Sequence, residues 1–188
     1  PAIIGGDEPH YLLMAHSIAV DGDLALEAEY GAVANGAPAA GDRFRGKTLD
    51  RHLAVRNGGQ VFIHPIGLPL LIAPLIAVQH AIAPDMAPDI LAGLFVLVVT
   101  FLALLAGIAL LAKRCGDRRA AWAIGLAVYF STPLWFYSRM LFTEPLLWAF
   151  AVLACWCLSR ERWIAAGIAL GLVFAVKEIG LLIVAAVG

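Results

Sequence analysis

The feature that most constrains this chain is an uninterrupted apolar run from Ile90 to Ala112, relieved only by Thr100 and two glycines. The run exceeds the roughly 20 residues that a helix needs to cross the hydrocarbon core of a bilayer. Of the 188 residues, 62% are hydrophobic and 14% are charged, whereas a soluble domain is about half apolar and about a quarter charged. We therefore predict an integral membrane protein, whose apolar runs are helical because backbone groups in lipid must bond within their own segment.

More apolar segments follow the first one. We predict membrane spans at residues 120–137, 145–158 and 163–176, and the start of a fifth span at 179–187. The predicted fold class is all-α, a polytopic transmembrane helical bundle with amphipathic juxtamembrane helices in a long first extracytoplasmic loop. That loop is expected to occupy residues 1–89 and the transmembrane region residues 90–188. Because the chain opens without Met and stops inside an apolar stretch, we expect it to be cut at both ends.

Basic residues in two short connections predict the orientation of the spans. They are Lys113, Arg114, Arg118 and Arg119 in the first connection and Arg160 and Arg162 in the second. Both connections should face the cytoplasm under the positive-inside rule. The connection at 138–144 and the pair Lys177-Glu178 then fall on the outer side.

A short apolar segment at residues 66–83 decides the side of the N-terminal region. If the segment crosses the membrane, the N-terminal region is cytoplasmic. If it lies along the interface or re-enters, residues 1–89 are all outside. The segment contains Pro69 and Pro74 and is barely long enough to cross, which favours the second alternative.

The candidate acids are Asp7, Glu8 and Glu144. Asp7 and Glu8 precede an apolar stretch at 11–20 that is typical of a helix lying on the membrane surface. They fit either a catalytic role or a helix N-terminus, where acids complement the dipole. Glu144 stands at the outer mouth of a span, where an ionisable group suggests function. The alternative is that Thr143 and Glu144 cap a helix.

The candidate cations are Lys177, Arg139 and His64. Lys177, next to Glu178, fits a phosphate-binding cation with its partner or a simple interfacial ion pair. His64 starts the short apolar segment, and a lone histidine is more often a hydrogen-bonding residue than a metal ligand. The other histidines that we considered (His16, His52 and His80) show no spacing typical of metal ligands. A net charge of −1 without a basic stripe excludes a nucleic-acid partner.

If the segment at 66–83 stays at the interface, the candidates emerge on one face of the bilayer. They are Asp7, Glu8, His64, Arg139, Glu144 and Lys177. A carboxylate there could accept a proton from an attacking hydroxyl, and a cation could stabilise a phosphate leaving group. The competing hypothesis is a polytopic transporter that uses Glu144, Lys177 and Glu178 as intramembrane relay groups. It predicts inverted repeats, which the sequence does not show.

The order of these motifs resembles the GT-C superfamily of polyprenyl-phosphate-sugar-dependent glycosyltransferases. The most similar branch contains protein O-mannosyltransferases and aminoarabinose transferases. The motifs are an acidic element in the first outer loop, a Pro-containing segment, a small acidic element and a Trp-led span ending in Lys. They are matched by Gly6-Asp7-Glu8 with Tyr11, by His64-Pro65-Ile66-Gly67-Leu68-Pro69-Leu70, by Thr143-Glu144-Pro145-Leu146 and by Trp163 to Lys177. The branch often has Lys before a Pro pair, where this chain has His64 and a single Pro65.

The resemblance implies a reaction and a set of roles. A sugar would pass from a polyprenyl-phosphate donor to a hydroxyl-bearing acceptor (glycan, lipid or protein) on the outer face, with inversion if the acceptor attacks directly. Asp7 would be the leading catalytic base, with Glu8 beside it and Glu144 as a second acid. Lys177 would lie near the donor phosphate, where we also place His64 and Arg139.

The resemblance also implies a location and leaves the cofactor open. The chain would work in the lipid bilayer of a bacterial or archaeal plasma membrane, with its active site facing outside. A divalent metal near Asp7, Glu8 and Glu144 is neither required nor excluded by these residues.

Overall fold

The computed structural model describes residues 7–35, 49, 53–56, 59–83 and 89–177. The chain divides into two compact units, Pro1–Gly93 and Leu94–Gly188. The helices are α1 (Glu8–His16), a π-helical turn (Ser17–Asp21), α2 (Glu27–Ala34), α3 (Gly67–Ile82), α4 (Ile90–Cys115), α5 (Arg118–Ser131), α6 (Leu134–Tyr137), α7 (Thr143–Leu158) and α8 (Trp163–Val176). The predicted helical class is confirmed. One antiparallel hairpin adds to it, formed by β1 (Leu53–Arg56) and β2 (Gly59–Phe62).

The first unit is built around α1, which packs against α3 and the π-helical turn. Residues 8–15 of α1 are all buried, so this helix has no exposed face. Its side chains Leu12, Leu13 and Met14 form the core of the unit together with Ile72 and Ile76 of α3. The expected amphipathic surface helix at 11–20 is therefore wrong for α1, because neighbouring elements cover the side that was expected to face water.

The chain turns back after the π-helical turn. Gly22 caps that turn with a left-handed backbone, at φ 73°, which glycine adopts at low cost. The hydroxyl of Ser17 donates to Asp23 Oδ1 at 2.8 Å, and the backbone N–H of Ala25 donates to the same oxygen at 3.0 Å. These bonds fix the connection that leads into α2.

Helix α4 covers the apolar run from Ile90 and is a candidate membrane span by length and composition. It has 26 residues, and among the described residues it is the one helix long and apolar enough to cross a membrane. The other apolar helices of the second unit are shorter: α5 has 14 residues, α7 has 16 and α8 has 14. At about 1.5 Å per residue, 14–16 residues rise only about 21–24 Å. The predicted bundle of four spans is therefore not confirmed, and the predicted start of a fifth lies outside the described residues.

The predicted span at 120–137 is broken in two. Helix α5 ends at Ser131, Thr132 is extended (φ −107°, ψ 163°), and α6 follows after Pro133. A residue that precedes proline is sterically pushed out of the helical region, and proline has no N–H to donate. One proline therefore interrupts an otherwise continuous apolar segment.

Helices α4 and α5 approach closely where the chain has a glycine. A Cβ atom at Gly125 would overlap the side chain of Ile108. Ile108, Leu104 and Ala121 form a small buried cluster, against which Trp148 of α7 packs. The absence of a side chain at position 125 thus allows the contact between the two helices.

Helices α7 and α8 form a hairpin with a tight turn. The N–H of Arg162 donates to Cys157 O at 2.9 Å, and the N–H of Glu161 donates to Leu158 O at 3.0 Å. This is the Schellman pattern of a helix C-terminus. Glu161 takes the left-handed position, at φ 58°, which glycine usually occupies.

The two basic connections lie at the same end of the second unit. Arg114, at the end of α4, and Ser159, which follows α7, line one apolar cavity of about 440 Å³. Which side of a membrane this end faces stays a prediction. Arg139 lies in the connection that precedes α7, and Glu144 lies in the first turn of α7, so both are at the opposite end of that helix.

Candidate functional site

The first group of candidate residues surrounds Asp7, in the first unit. Asp7 is the N-cap of α1, and its backbone carbonyl accepts the N–H groups of His10 (3.0 Å) and Tyr11 (3.2 Å). Its side chain is 41% exposed, and His64 Nδ1 lies 3.7 Å from Asp7 Oδ2. The structure thus brings together two residues that the sequence placed on one face, from distant parts of the chain.

Aromatic side chains hold the His64 ring. It stacks on His10, with ring centroids 6.1 Å apart and planes at 20°. Tyr11 and Phe62 contact the same ring at centroid distances of 5.4 and 5.2 Å. The side chain of His64 is only 15% exposed. These contacts orient its Nδ1 atom towards the Asp7 carboxylate.

His10 and Tyr30 are members of this group that the sequence analysis missed. His10 Nδ1 and the Tyr30 hydroxyl are 2.6 Å apart, and both residues are 3% exposed. This hydrogen bond joins α1 to α2. The proximity of His10 to the acidic pair was the available signal, but nothing in the sequence indicated Tyr30.

Glu8 differs from its neighbour Asp7 in accessibility. Glu8 is 5% exposed and belongs to the buried surface of α1. A solute therefore reaches the Asp7 carboxylate much more easily than that of Glu8. The two adjacent acids, which the sequence could not rank by geometry, are distinguished by burial.

The second group lies in the second unit and contains Glu144 and Lys177. Lys177 Nζ contacts Glu144 Oε1 in an ion pair, and both side chains are 37% exposed. The hydroxyl of Thr143 donates to Glu144 Oε2 at 3.3 Å. The antiparallel packing of α7 and α8 explains the pair, because the first turn of α7 then lies beside the end of α8. Glu178, the partner considered from the sequence, lies outside the described residues.

Helix capping by Glu144 is not observed. Helix α7 begins at Thr143, its N-cap is Phe142, and no side chain caps it. The capping alternative for Thr143 and Glu144 is therefore wrong. Glu144 instead lies in the first turn, where a negative charge is favourable to the helix dipole, and forms the ion pair with Lys177.

Arg139 is exposed and takes no part in that ion pair. Its guanidinium carbon is 4.8 Å from the centroid of the Trp135 ring, a cation–π contact. Among the described residues it forms no ion pair. Ser138, its buried neighbour, is within hydrogen-bond distance of the Tyr129 hydroxyl at 2.9 Å and so ties this connection to α5.

A third group was not predicted at all. His16, Asp21 and Glu29 each offer one possible metal-ligand atom, and these atoms lie within 4.8 Å of one another. Burial, followed by the neighbouring Asp21, raises the pKa of Glu29 to about 7. Burial also lowers the pKa of His16, an effect that Asp21 partly opposes. Linear spacing gave no signal of this group, because the π-helical turn and the reversal at Gly22 bring its members together.

Comparison with known proteins gives the family. Residues 62–187, about two thirds of the chain, match glycosyltransferase family 87. No curated protein and no solved structure matches the chain significantly. Family 87 is of the GT-C type, which confirms the resemblance to that superfamily but not to the branch of protein O-mannosyltransferases and aminoarabinose transferases. The chain therefore belongs to glycosyltransferase family 87 and is a membrane-associated glycosyltransferase.

Proposed function

We propose that the protein transfers a sugar from a polyprenyl-phosphate donor to a hydroxyl acceptor on the extracytoplasmic face of the membrane. The observation that carries this proposal is the match to glycosyltransferase family 87, whose members typically use lipid-linked donors. The family match also favours a transferase over the transporter alternative. The exposed Asp7 carboxylate supports the proposed mechanism.

The reaction needs a base, because the acceptor hydroxyl is a weak nucleophile until its proton is removed. In the proposed step the acceptor oxygen bonds to the anomeric carbon while the bond from that carbon to the phosphate oxygen breaks. The hydroxyl proton passes to the carboxylate of Asp7, and polyprenyl phosphate leaves with the bonding electrons. A direct displacement of this kind inverts the anomeric configuration.

Asp7 suits the role of base better than Glu8 does. Its side chain is 41% exposed, whereas Glu8 is 5% exposed. We therefore assign Glu8 to supporting the start of α1 and not to contact with the acceptor.

His64 suits a positioning role in this scheme. The sequence predicts that His64 lies near the donor phosphate, whereas its side chain is 15% exposed and its Nδ1 atom faces Asp7 at 3.7 Å. A ring held by His10, Tyr11 and Phe62 can keep the carboxylate in one orientation. Fixed placement of a base accounts for a large part of its catalytic effect.

The donor phosphate is assigned to Lys177 and Arg139. A lysine ammonium has three donors, and Glu144 takes one from Lys177, which leaves donors for a phosphate oxygen. Arg139 is exposed and stacked on Trp135, so the edge of its guanidinium is available to a phosphate. Cations placed at the leaving group stabilise the charge that develops there. Glu144, in this proposal, holds Lys177 in place.

The test is sugar transfer by the full-length protein with Asp7→Asn. The matched control is Asp117→Asn, because Asp117 is also an exposed N-cap aspartate, at the start of α5, and Asn is a good N-cap residue. We would offer farnesyl-phosphate mannose, glucose and galactose, and measure release of farnesyl phosphate and the anomeric configuration of the product. We expect Asp7→Asn to lower kcat by about 10²–10⁴-fold and the control to keep the wild-type rate.

Three results would contradict the proposal or a part of it. A wild-type rate in the Asp7→Asn variant would remove Asp7 from the role of base. A folded protein that releases farnesyl phosphate from none of the donors would refute the donor class. A retained anomeric configuration in the product would exclude the direct displacement.

A further inference from the structure

The connection between α1 and α2 gathers three side chains of types that bind metal ions. His16 ends α1, Asp21 ends the π-helical turn, and Glu29 lies in α2. Their ligand atoms lie within 4.8 Å of one another. π-helical turns occur often at functional sites. This one places Asp21 beside two residues from different helices.

Burial of Glu29 is an independent indication of a ligand. Glu29 is 4% exposed, and its Oε2 atom has no hydrogen-bond partner among the described residues. The buried Nδ1 atom of His16 also has no hydrogen-bond partner among the described residues. Buried polar atoms in proteins almost always have a partner, because leaving one without a partner costs about 1–3 kcal/mol. A cation between these side chains would supply the missing partner.

The spacing of the three residues suits a transition-metal ion. Two ligands that each lie about 2.1 Å from a tetrahedral zinc ion are about 3.4 Å apart. A group within 4.8 Å therefore needs to close by at most about 1.4 Å, a distance that changes of side-chain rotamer can supply. One imidazole with two carboxylates matches Zn²⁺ or Mn²⁺, whereas Ca²⁺ requires six to eight oxygen ligands.

We propose that His16, Asp21 and Glu29 bind a divalent transition-metal ion, with Zn²⁺ as the best fit. The site would join the end of α1 to α2 and so hold the turn between them. It differs from the metal position left open around Asp7, Glu8 and Glu144. It also lies outside residues 62–187, the part of the chain that matches the family.

The surroundings of the three residues favour cation binding. Asp23 adds negative charge near Glu29, and its own Oδ1 already accepts two hydrogen bonds that fix the turn. His80 of α3 packs edge-on against His16, with ring centroids 6.5 Å apart. His80 is exposed, so its imidazole is available as a further ligand of the ion.

The test compares metal binding by the full-length wild-type protein and by Glu29→Gln. Glutamine matches the shape of a protonated glutamate, so this variant should fold normally. Glu27→Gln is the matched control, because Glu27 belongs to the same helix and is exposed. His16→Gln removes a second ligand of a different type. Protein without an affinity tag is stripped with a chelator and titrated with Co²⁺, followed by visible absorption, and with Zn²⁺, followed by the melting temperature.

The expected result is one Co²⁺ per chain in the wild-type protein and in Glu27→Gln. Zn²⁺ at a hundredfold excess over its Kd should raise Tm by about 5 °C or more in both proteins. Glu29→Gln and His16→Gln should each lose at least about tenfold in affinity. Equal binding by all four proteins, or no binding by the wild-type protein, would overturn the proposal. Because none of these measurements involves sugar transfer, the outcome is independent of the proposed catalytic function.

Discussion

The ion pair between Glu144 and Lys177 joins the start of α7 to the residue after α8, so its removal should affect both folding and donor binding. The perturbation is a double-mutant cycle of Glu144→Gln, Lys177→Met and the two changes together. If Lys177 also binds the donor phosphate, stability and activity will respond differently across the cycle. That difference separates a structural role from a catalytic one.

The stability effect can be estimated from the exposure of the pair. Two unit charges 4 Å apart attract by about 1 kcal/mol in water and about 4 kcal/mol at the effective dielectric constant near a protein surface. Both side chains are 37% exposed, and ordering a lysine costs about 1.5–2 kcal/mol. We therefore expect an interaction energy of about 1 kcal/mol, at the upper end of the range for exposed pairs. That corresponds to about 2–4 °C in Tm for a chain of this size.

The activity effect should not follow the same pattern. Loss of a charged hydrogen bond to phosphate costs about 1.5–3 kcal/mol, so Lys177→Met should lower kcat/KM for the lipid-linked donor by about 10–100-fold. The double variant should melt no lower than either single variant, because the ion pair can be lost only once, but it should not regain activity. Lys113→Met, which removes an exposed lysine at the end of α4, should leave both unchanged. If all three variants lose the same amount of activity, Lys177 acts only through its ion pair and does not contact the phosphate.

Two further predictions concern packing and backbone strain. Gly125→Val should force Ile108 away and destabilise the protein by about 1–3 kcal/mol. The control, Gly167→Ala in open space on α8, should be neutral or stabilising by up to about 1 kcal/mol. Equal melting temperatures of the two variants would refute the close approach of α4 and α5. Glu161→Gly should raise stability by about 0.5–1 kcal/mol because glycine adopts the left-handed backbone at this position without strain. Glu161→Ala should give no gain in stability. A gain from alanine would show that backbone strain is not the cause.

The sequence predicted the parts of the fold that depend on hydrophobicity alone. Helix α4 follows from a run that no soluble protein could leave exposed, and the structure begins it at the predicted residue, Ile90. The high hydropathy of residues 120–137 concealed the break at Thr132 and Pro133, although a residue that precedes proline is sterically disfavoured in a helix. The β1–β2 hairpin lies in a region without strong hydrophobic periodicity. Its pairing therefore gave no signal that could be read locally.

The candidate site shows the same division between local and distant information. Asp7 and His64 were identified as polar residues next to apolar segments, but their proximity depends on the packing of α1 against the start of α3. Lys177 was first considered with its neighbour in sequence, whereas the antiparallel hairpin gives it Glu144. Glu29 was not considered at all, because its burial depends on the direction in which the chain leaves Gly22.

The α7–α8 hairpin also has a consequence for how the protein is made. Each helix alone is too short to cross the hydrocarbon core, but the two are joined by a four-residue turn and contact each other along their length. Their contacts are local in sequence, so the pair can form soon after the ribosome has released residue 177. In the predicted orientation the two helices would then enter the bilayer together, with Glu144 and Lys177 neutralising one another at the leading end, which passes to the outer side. Separating the helices by a long flexible insertion at Glu161 should therefore impair membrane integration more than it impairs the stability of protein that is already inserted.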